Sequence, residues 1–205
     1  MSNTRKLSDL ITYGGLRIFS GQILSRIKAN SVDDCKKGSI EFCRVINPKV
    51  ITTEGVINET LIDKEEPFVV SSKDKLTKEG DIIIKLSTPF DSATITNSTK
   101  NCIVPSFCAT IRNNSIDSLV TTDYLQAFLN SSICKKQLEN MVLGIPMTII
   151  SIGMIKDIVI PIPNKRHQEQ IGQAYRKMQE KHKILKQIFE LENKKNEIIF
   201  KELMQ

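Results

Sequence analysis

The chain has no tryptophan, only two histidines (His167 and His182), and no proline beyond Pro163. Two histidines are too few parts for a Ser-His-Asp hydrolase or an HExxH zinc site, which need several placed donors. No GxxxxGK[ST] or GxGxxG run is present to cradle a nucleotide phosphate. An amino-methyltransferase needs a Gly-rich cofactor loop and an Asn-Pro-Pro-aromatic or Asp-Pro-Pro-aromatic motif. The nearest approach, Asn47-Pro48-Lys49-Val50, lacks the second proline and the aromatic that would stack on a base. Glu65 and Glu66 flank Pro67 and read as solvated loop charge, and Asp91 is joined by no acids in a metal-binding pattern. The expectation is a non-catalytic chain with no metal and no cofactor of its own. Aromatic residues make up 5% of the sequence, which argues against a single-strand binder built on base stacking.

The N-terminus, MSNTRKLSDL, lacks the apolar run of a secretory signal. Nothing approaches the roughly 18–20 apolar residues that span a bilayer. The most apolar stretch, residues 141–162, is broken by Gly144, Pro146, Gly153, Lys156, Asp157 and Pro161. A cytoplasmic chain with no membrane partner is expected. The five cysteines (Cys35, Cys43, Cys102, Cys108 and Cys134) are odd in number and form no CxxC pair, as reduced structural thiols would be. The sequons at Asn58, Asn97, Asn113 and Asn130 are then chance matches.

What the sequence does have divides near Pro163. Residues 1–163 are β-rich and irregular, and residues 164–205 consist mostly of helix-forming Gln, Glu, Lys, Ile and Leu. In the first part, residues 7–27 read as a short helix with a turn at Gly14 and Gly15. Strands are predicted at 41–46, 81–86, within 103–111 and at 158–162. One helix is predicted over 122–141, capped by Thr121 or Thr122, and a turn or short helix over 151–157. Interleaved elements of this kind define an α/β (α+β) domain. In the second part Ile171, Tyr175, Met178, His182, Leu185 and Phe189 follow a 4-3-4-3-4 spacing. The pattern drifts through Leu191 and Ile198 to Leu203, a coiled-coil-like seam on a helix of on the order of 58 Å. A helix that long cannot bury its whole stripe on the small domain before it, so it needs a partner. His182 on the seam reads as a register-setting polar residue.

Several segments, in order along nearly the whole chain, resemble one family. Lys78-Glu79-Gly80-Asp81-Ile82-Ile83-Ile84 matches its Lys-x-Gly-Asp-Ile-aliphatic strand. Ile103-Val104-Pro105-Ser106-Phe107 follows, then Asp123-Tyr124-Leu125 with Phe128-Leu129-Asn130-Ser131, then Gly144. Ile155-Lys156-Asp157 leads into Ile160-Pro161-Ile162-Pro163, and Gln168 with Ile171 opens the long helix. On these motifs the chain resembles the specificity subunit of type I restriction-modification systems. Family members usually carry two recognition domains and two long helices, whereas this chain has one of each, as a half-subunit would. Asn164 stands where the family has a further proline, and His167 where an acid is usual.

The resemblance implies a target-recognition domain (1–163) that reads one half of a split site in double-stranded DNA. The helix (164–205) would space the half-sites and dock onto methyltransferase (modification) subunits, with a restriction subunit as an optional further member. S-adenosylmethionine would be bound by the methyltransferase, which performs adenine N6-methylation. One half would pair with a second copy through an antiparallel helix contact, giving a homodimer and a palindromic site with a spacer.

The formal charge of +6 is compatible with phosphate contacts, and +4 of it lies in residues 165–205 (ten Lys/Arg against six Glu). Lys, Arg, Asn, Ser and Thr on loops reach phosphates and base edges. By that criterion the candidates are Asn97, Thr99, Lys100 and Asn101 in one loop, and Arg112, Asn113 and Asn114 in another. Lys85, Ser87 and Thr88 follow the Gly-Asp-Ile strand. Against each stands the plainer reading of a polar turn. Arg17 and Arg26 fit phosphate grips or acid partners, and the apolar loop 143–148 fits either a DNA-facing turn or packing. A different function class remains open: a non-enzymatic adaptor whose coiled coil binds protein partners.

Overall fold

Three consecutive isoleucines suit a strand covered on both faces, because successive side chains point to opposite sides. The computed structural model describes residues 3–29, 38–115, 118–144 and 149–204, and places Ile82, Ile83 and Ile84 in such a strand. The elements begin with β1 (Asn3–Lys6), α1 (Leu7–Tyr13), β2 (Leu16–Ser20) and α2 (Leu24–Ile27). Then come β3 (Ser39–Cys43), β4 (Glu66–Val70), β5 (Ile82–Lys85), β6 (Ser92–Thr94) and β7 (Cys108–Asn113). The helices α3 (Thr122–Leu129), α4 (Ser132–Met141) and α5 (Ile152–Asp157) precede β8 (Val159–Ile162) and α6 (Lys165–Leu203).

The main sheet is antiparallel with strand order β2-β7-β5-β6, and β3-β4 and β1-β8 are separate antiparallel pairs. Ile82 and Ile84 face a large core filled by Leu7, Leu10, Tyr124, Leu125, Leu138 and Ile160. Ile83 points the other way, into a second core with Ile46, Val50, Ile95 and Val104. A third cluster, built on Val45, Phe68, Val70 and Ile103, lies beside the β3-β4 pair. Each such side chain taken fully out of water contributes about 1.5–3 kcal/mol. This is a mixed α/β domain with a long C-terminal helix, as the sequence pattern predicts.

Several expectations change in detail, beginning with residues 7–27, where strand β2 of the main sheet lies between the short helices α1 and α2. The single helix over 122–141 is two helices, because Asn130 ends α3 and the Ser131 hydroxyl caps α4 by accepting from the Cys134 amide. The segment around Glu65 and Glu66 is not simply a loop, since Glu66 opens β4 and pairs with Lys28 at 3.0 Å. Within 103–111 only residues from Cys108 onward join the main sheet, while Ile103 and Pro105 make isolated parallel bridges to Val45 and Gln22. Strand β1, which the sequence pattern does not signal, pairs with β8 and so sets the chain's first residues beside the strand that leads into α6. Gly14 and Gly15 form the expected turn, with Gly15 at φ +76°. Cys43, Cys102, Cys108 and Cys134 are buried free thiols; Cys35 and most of the loop 143–148 lie outside the described residues.

Candidate nucleic-acid interface

The Lys-x-Gly-Asp-Ile motif is explained by one buried charge pair. Gly80 takes φ +84°, a conformation that strains any side-chain-bearing residue, and turns the chain so that Asp81 points inward. Both Asp81 oxygens accept from Arg112 on β7, from Nε and Nη2 at 2.7 Å each, and the Lys78 amide also donates to Asp81 at 2.8 Å. The remaining guanidinium donors reach the carbonyls of Asp74 (2.9 Å) and Leu76 (2.8 Å), and the ring of Phe19 lies 5.2 Å away. The side-chain hydrogen bonds to Asp81 hold the Arg112 pKa above its ordinary value. Arg112 is therefore committed inside the fold, tying β7 to residues 74–81.

The other candidates fall at two ends of the main sheet. Ile82 pairs with Thr94 and Ile111, whereas Ile84 pairs with Ser92 and Ala109. Residues 97–101, which follow β6, and Asn113 and Asn114, which close β7, thus share the end where β5 begins. Lys85, Ser87 and Thr88 lie at the opposite end. At the first end Asn97, Lys100 and Asn101 are exposed and line a cleft of about 440 Å³ with Arg44 and Lys73. Thr99, in contrast, is fully buried and bonds within the loop to Thr96, while its carbonyl accepts from Thr77 at 2.9 Å. Asn114 is exposed; Asn113 is half-buried, donates to the Val120 carbonyl (3.3 Å), and accepts from the Ser115 amide (3.3 Å).

At the opposite end Lys85 turns to Asp91 at 3.1 Å, and Lys135 from α4 reaches the other oxygen of the same carboxylate at 2.6 Å. Asp91 is wholly buried, so the two lysines neutralise a charge that would otherwise be stranded. Ser87 is half-buried and bridges to Ile149, and Thr88 is exposed before the cis bond to Pro89.

The first turns of α6 dock on the domain through a polar face. Gln168, 1% exposed, accepts from the Thr121 amide and donates to the carbonyls of Leu119 and Pro163, all at 2.9 Å. Gly172 lies so close to α3 that an added Cβ would stand 2.6 Å from the Asp123 Cβ. Tyr175 accepts from Asn130 at 2.8 Å, and Asn130 in turn exchanges two 2.8 Å bonds with the backbone of Ser92 on β6. Gln179 donates to the Gly55 carbonyl at 2.8 Å, which Gln126 also reaches, and Arg176 pairs with Asp123 at 2.8 Å. From Lys181 to Met204 every residue is exposed.

The seam expected from 4-3 spacing is consequently two faces. Tyr175 belongs to the docking face with Gln168, Gly172 and Gln179. Ile171, Met178, Leu185, Phe189 and Leu203 are exposed, and His182 is exposed in a cleft of about 310 Å³ with Tyr175, Met178 and Glu54. At 100° per residue, Ile184, Ile188 and Ile199 point roughly 150–170° away from the docking face, and Leu191 and Ile198 roughly 110–130° away. The sequence pattern sets Tyr175 on one stripe with Ile171, Met178, His182, Leu185 and Phe189 because it follows spacing alone; Gln168 is marked only by the family motif, and Gln179 by nothing.

No family model and no curated protein matches this chain. Solved structures do. A chain of the type I R-M system whose assembly and conformational transition have been described superposes on 91% of this chain with a TM-score of 0.56 and 15% identity. The HsdS subunit from Thermoanaerobacter tengcongensis matches over 91% with a TM-score of 0.53 and 14% identity. The type I restriction-modification S subunit from M. genitalium matches over 95% with a TM-score of 0.54 and 16% identity. This chain spans 40%, 39% and 43% of those three chains respectively. The fold is that of type I specificity subunits, over a stretch matching one of their recognition halves. Among the described residues no helix is long and apolar enough to cross a membrane.

Proposed function

We propose that this chain recognises double-stranded DNA as a specificity subunit of a type I restriction-modification assembly, reading one half-site without catalysing a reaction. The observation that carries the reading is the pairing of a recognition-half fold with a helix whose last 24 residues are exposed yet rich in isoleucine and leucine. Residues 1–163 act as the reader and 164–205 as the spacer and docking helix. Base-edge contacts fall to Asn97, Asn101 and Asn114, with Lys100 at hand for phosphates, and Ser87 and Thr88 extend the surface at the far end of the sheet. The catalytic partner is an adenine N6-methyltransferase subunit that binds S-adenosylmethionine, in the cytoplasm, with a restriction subunit as an optional further member. Two copies pair through the outward face of α6, which is the face left over after the inward one has docked.

Selection from a random duplex library tests this reading. The expected outcome is an enriched, palindromic, interrupted motif, and methylation of that motif only when the methyltransferase subunit is added. No enrichment, combined with self-association or protein capture by α6, would leave a protein-binding coiled-coil adaptor as the function.

A further inference from the structure

The clefts holding the candidate base-contacting loops have one segment between them that sequence reasoning passed over. Residues 72–81 carry Lys73, Lys75 and Lys78 within a few positions. Lys73 lines the cleft shared with Asn97, Lys100 and Asn101, and Lys78 lines the cleft shared with Asn113 and Asn114. Lys75 lines a third cleft of about 490 Å³, facing Arg17 on β2 and Arg26 on α2. The segment is thus a ridge with a candidate loop on either flank and, beside Ser72, Asp74 and Lys75 at its start, a trough that holds Arg17 and Arg26.

The ridge is exposed in its side chains and fixed in its backbone. Arg112 holds the carbonyls of Asp74 and Leu76 from beneath, and Thr77 exchanges backbone hydrogen bonds with Asn101 (2.8 Å) and Cys102 (2.9 Å). Its fixed geometry means that a ligand does not have to order it, which favours a rigid partner of regular shape. The ridge carries acids as well as lysines: Asp81 is taken up by the buried Arg112, Glu79 lines the cleft of Lys78, and Glu41 and Glu65 line that of Lys73. Asp74 serves Lys78 at 2.8 Å and Arg17 at 3.9 Å, and Glu41 meets Lys73 at 3.6 Å. Lys78 beside Asp74 holds that carboxyl below the usual aspartate range. Such exposed pairs contribute little, and a phosphate can take over one cation without stranding a buried charge.

We infer that residues 72–81, with Arg17 and Arg26 across the trough, grip the sugar-phosphate backbone of the duplex and so set the register in which the flanking asparagine loops meet base edges. Phosphate contacts fix orientation without carrying sequence information, and the ridge lies where one strand can be held while loops on both flanks reach into a groove. The inference rests on the duplex-DNA reading above and adds to it the residues that position the DNA.

The test uses the full chain in fluorescence anisotropy across a salt series, with two probes of equal length: the duplex motif recovered by selection and a scrambled duplex. Lys73→Ala, Lys75→Ala and Arg26→Ala are each expected to weaken both probes about five- to tenfold at 0.1 M salt and to lower the salt slope by about 0.9. Asp74→Asn is expected to tighten both, and none of the four should alter the selected motif or the Tm. Asn97→Ala or Asn101→Ala supplies the contrast, changing the motif with little change in slope. Equal affinity and slope in the cation variants, with the unsubstituted chain still binding, would overturn the inference alone. So would a changed motif, which would make the ridge a base reader, or a loss confined to methyltransferase docking, which would make it a protein-binding surface. Failure of the unsubstituted chain to bind either duplex at 50 mM salt would remove the parent reading instead.

Discussion

At Arg112 a charged side chain occupies a position where a core strand normally carries an apolar one. It is tolerated because all its bonding is met internally, by Asp81 and two carbonyls. Arg112→Ala would leave Asp81 buried without its partner, and we expect a loss of about 3–5 kcal/mol in urea unfolding. The paired change Arg112→Met with Asp81→Leu should restore much of it. Gly55 is constrained twice, by φ +78° and by the Tyr175 hydroxyl, which would lie 2.2 Å from an added Cβ. Gly55→Ala should cost about 1–3 kcal/mol by the same measurement. Burial pushes the Cys108 and Cys134 thiols from 9.0 up to about 12. A raised thiol pKa in the folded state stabilises fully below the unfolded value and is lost as pH climbs towards the folded one. Tm should therefore fall between about pH 9 and 12, less steeply in Cys134→Ala. Native protein at pH 8 should resist thiol-reactive dyes at both positions.

Helix α6 is one element with two environments. Its first turns are held by the hydrogen bonds of Gln168 and Tyr175, and Gly172 permits the close crossing over α3. Gly172→Val should separate α6 from α3, lowering Tm and exposing residues 165–180 to limited proteolysis. The outer half behaves differently. Ile188→Glu, on the exposed face, should leave Tm of the domain unchanged and abolish self-association in sedimentation equilibrium. Under the proposed pairing, register would be set by the outward residues, Ile184 to Ile199, and not by Tyr175, whose hydroxyl is already bonded to Asn130. The break between α3 and α4 belongs to this scale too. Asn130 leaves the helix to bond the backbone of Ser92 and the hydroxyl of Tyr175, so the helix end is part of the α6 anchor.

For the molecule as a whole, the main sheet, the recognition loops and the docking hub form one chain of contacts. Residues 72–81 connect to β7 through Arg112, and β6 connects to α6 through Ser92, Asn130 and Tyr175. A domain held this way cannot swing freely on its helix, so under the proposed pairing the helix would set the distance between the two copies. Removing residues 181–205 should leave a folded domain, since every described residue past Gln179 is exposed. Selection with that shortened chain should yield a single half-site in place of an interrupted palindrome.

The sequence alone determined the periodic and the punctuated features. The buried strand at Ile82 to Ile84, the turn at Gly14 and Gly15, a helix opening at Thr121 or Thr122, and the long C-terminal helix all follow from local spacing and backbone preference. Those forces act within a few residues, so a linear reading captures them. Only the tertiary structure decided which polar residues face outward. Arg112, Thr99 and Lys85 have the same loop-and-strand context in sequence as Asn97, Lys100 and Asn101. Burial opposite Asp81, Thr77 and Asp91 is what separates them, and those partners are brought near by strand pairing rather than by chain position. The same holds for α6, where the docking face is polar and became visible only once α3 and the turn at Gly55 lay against it.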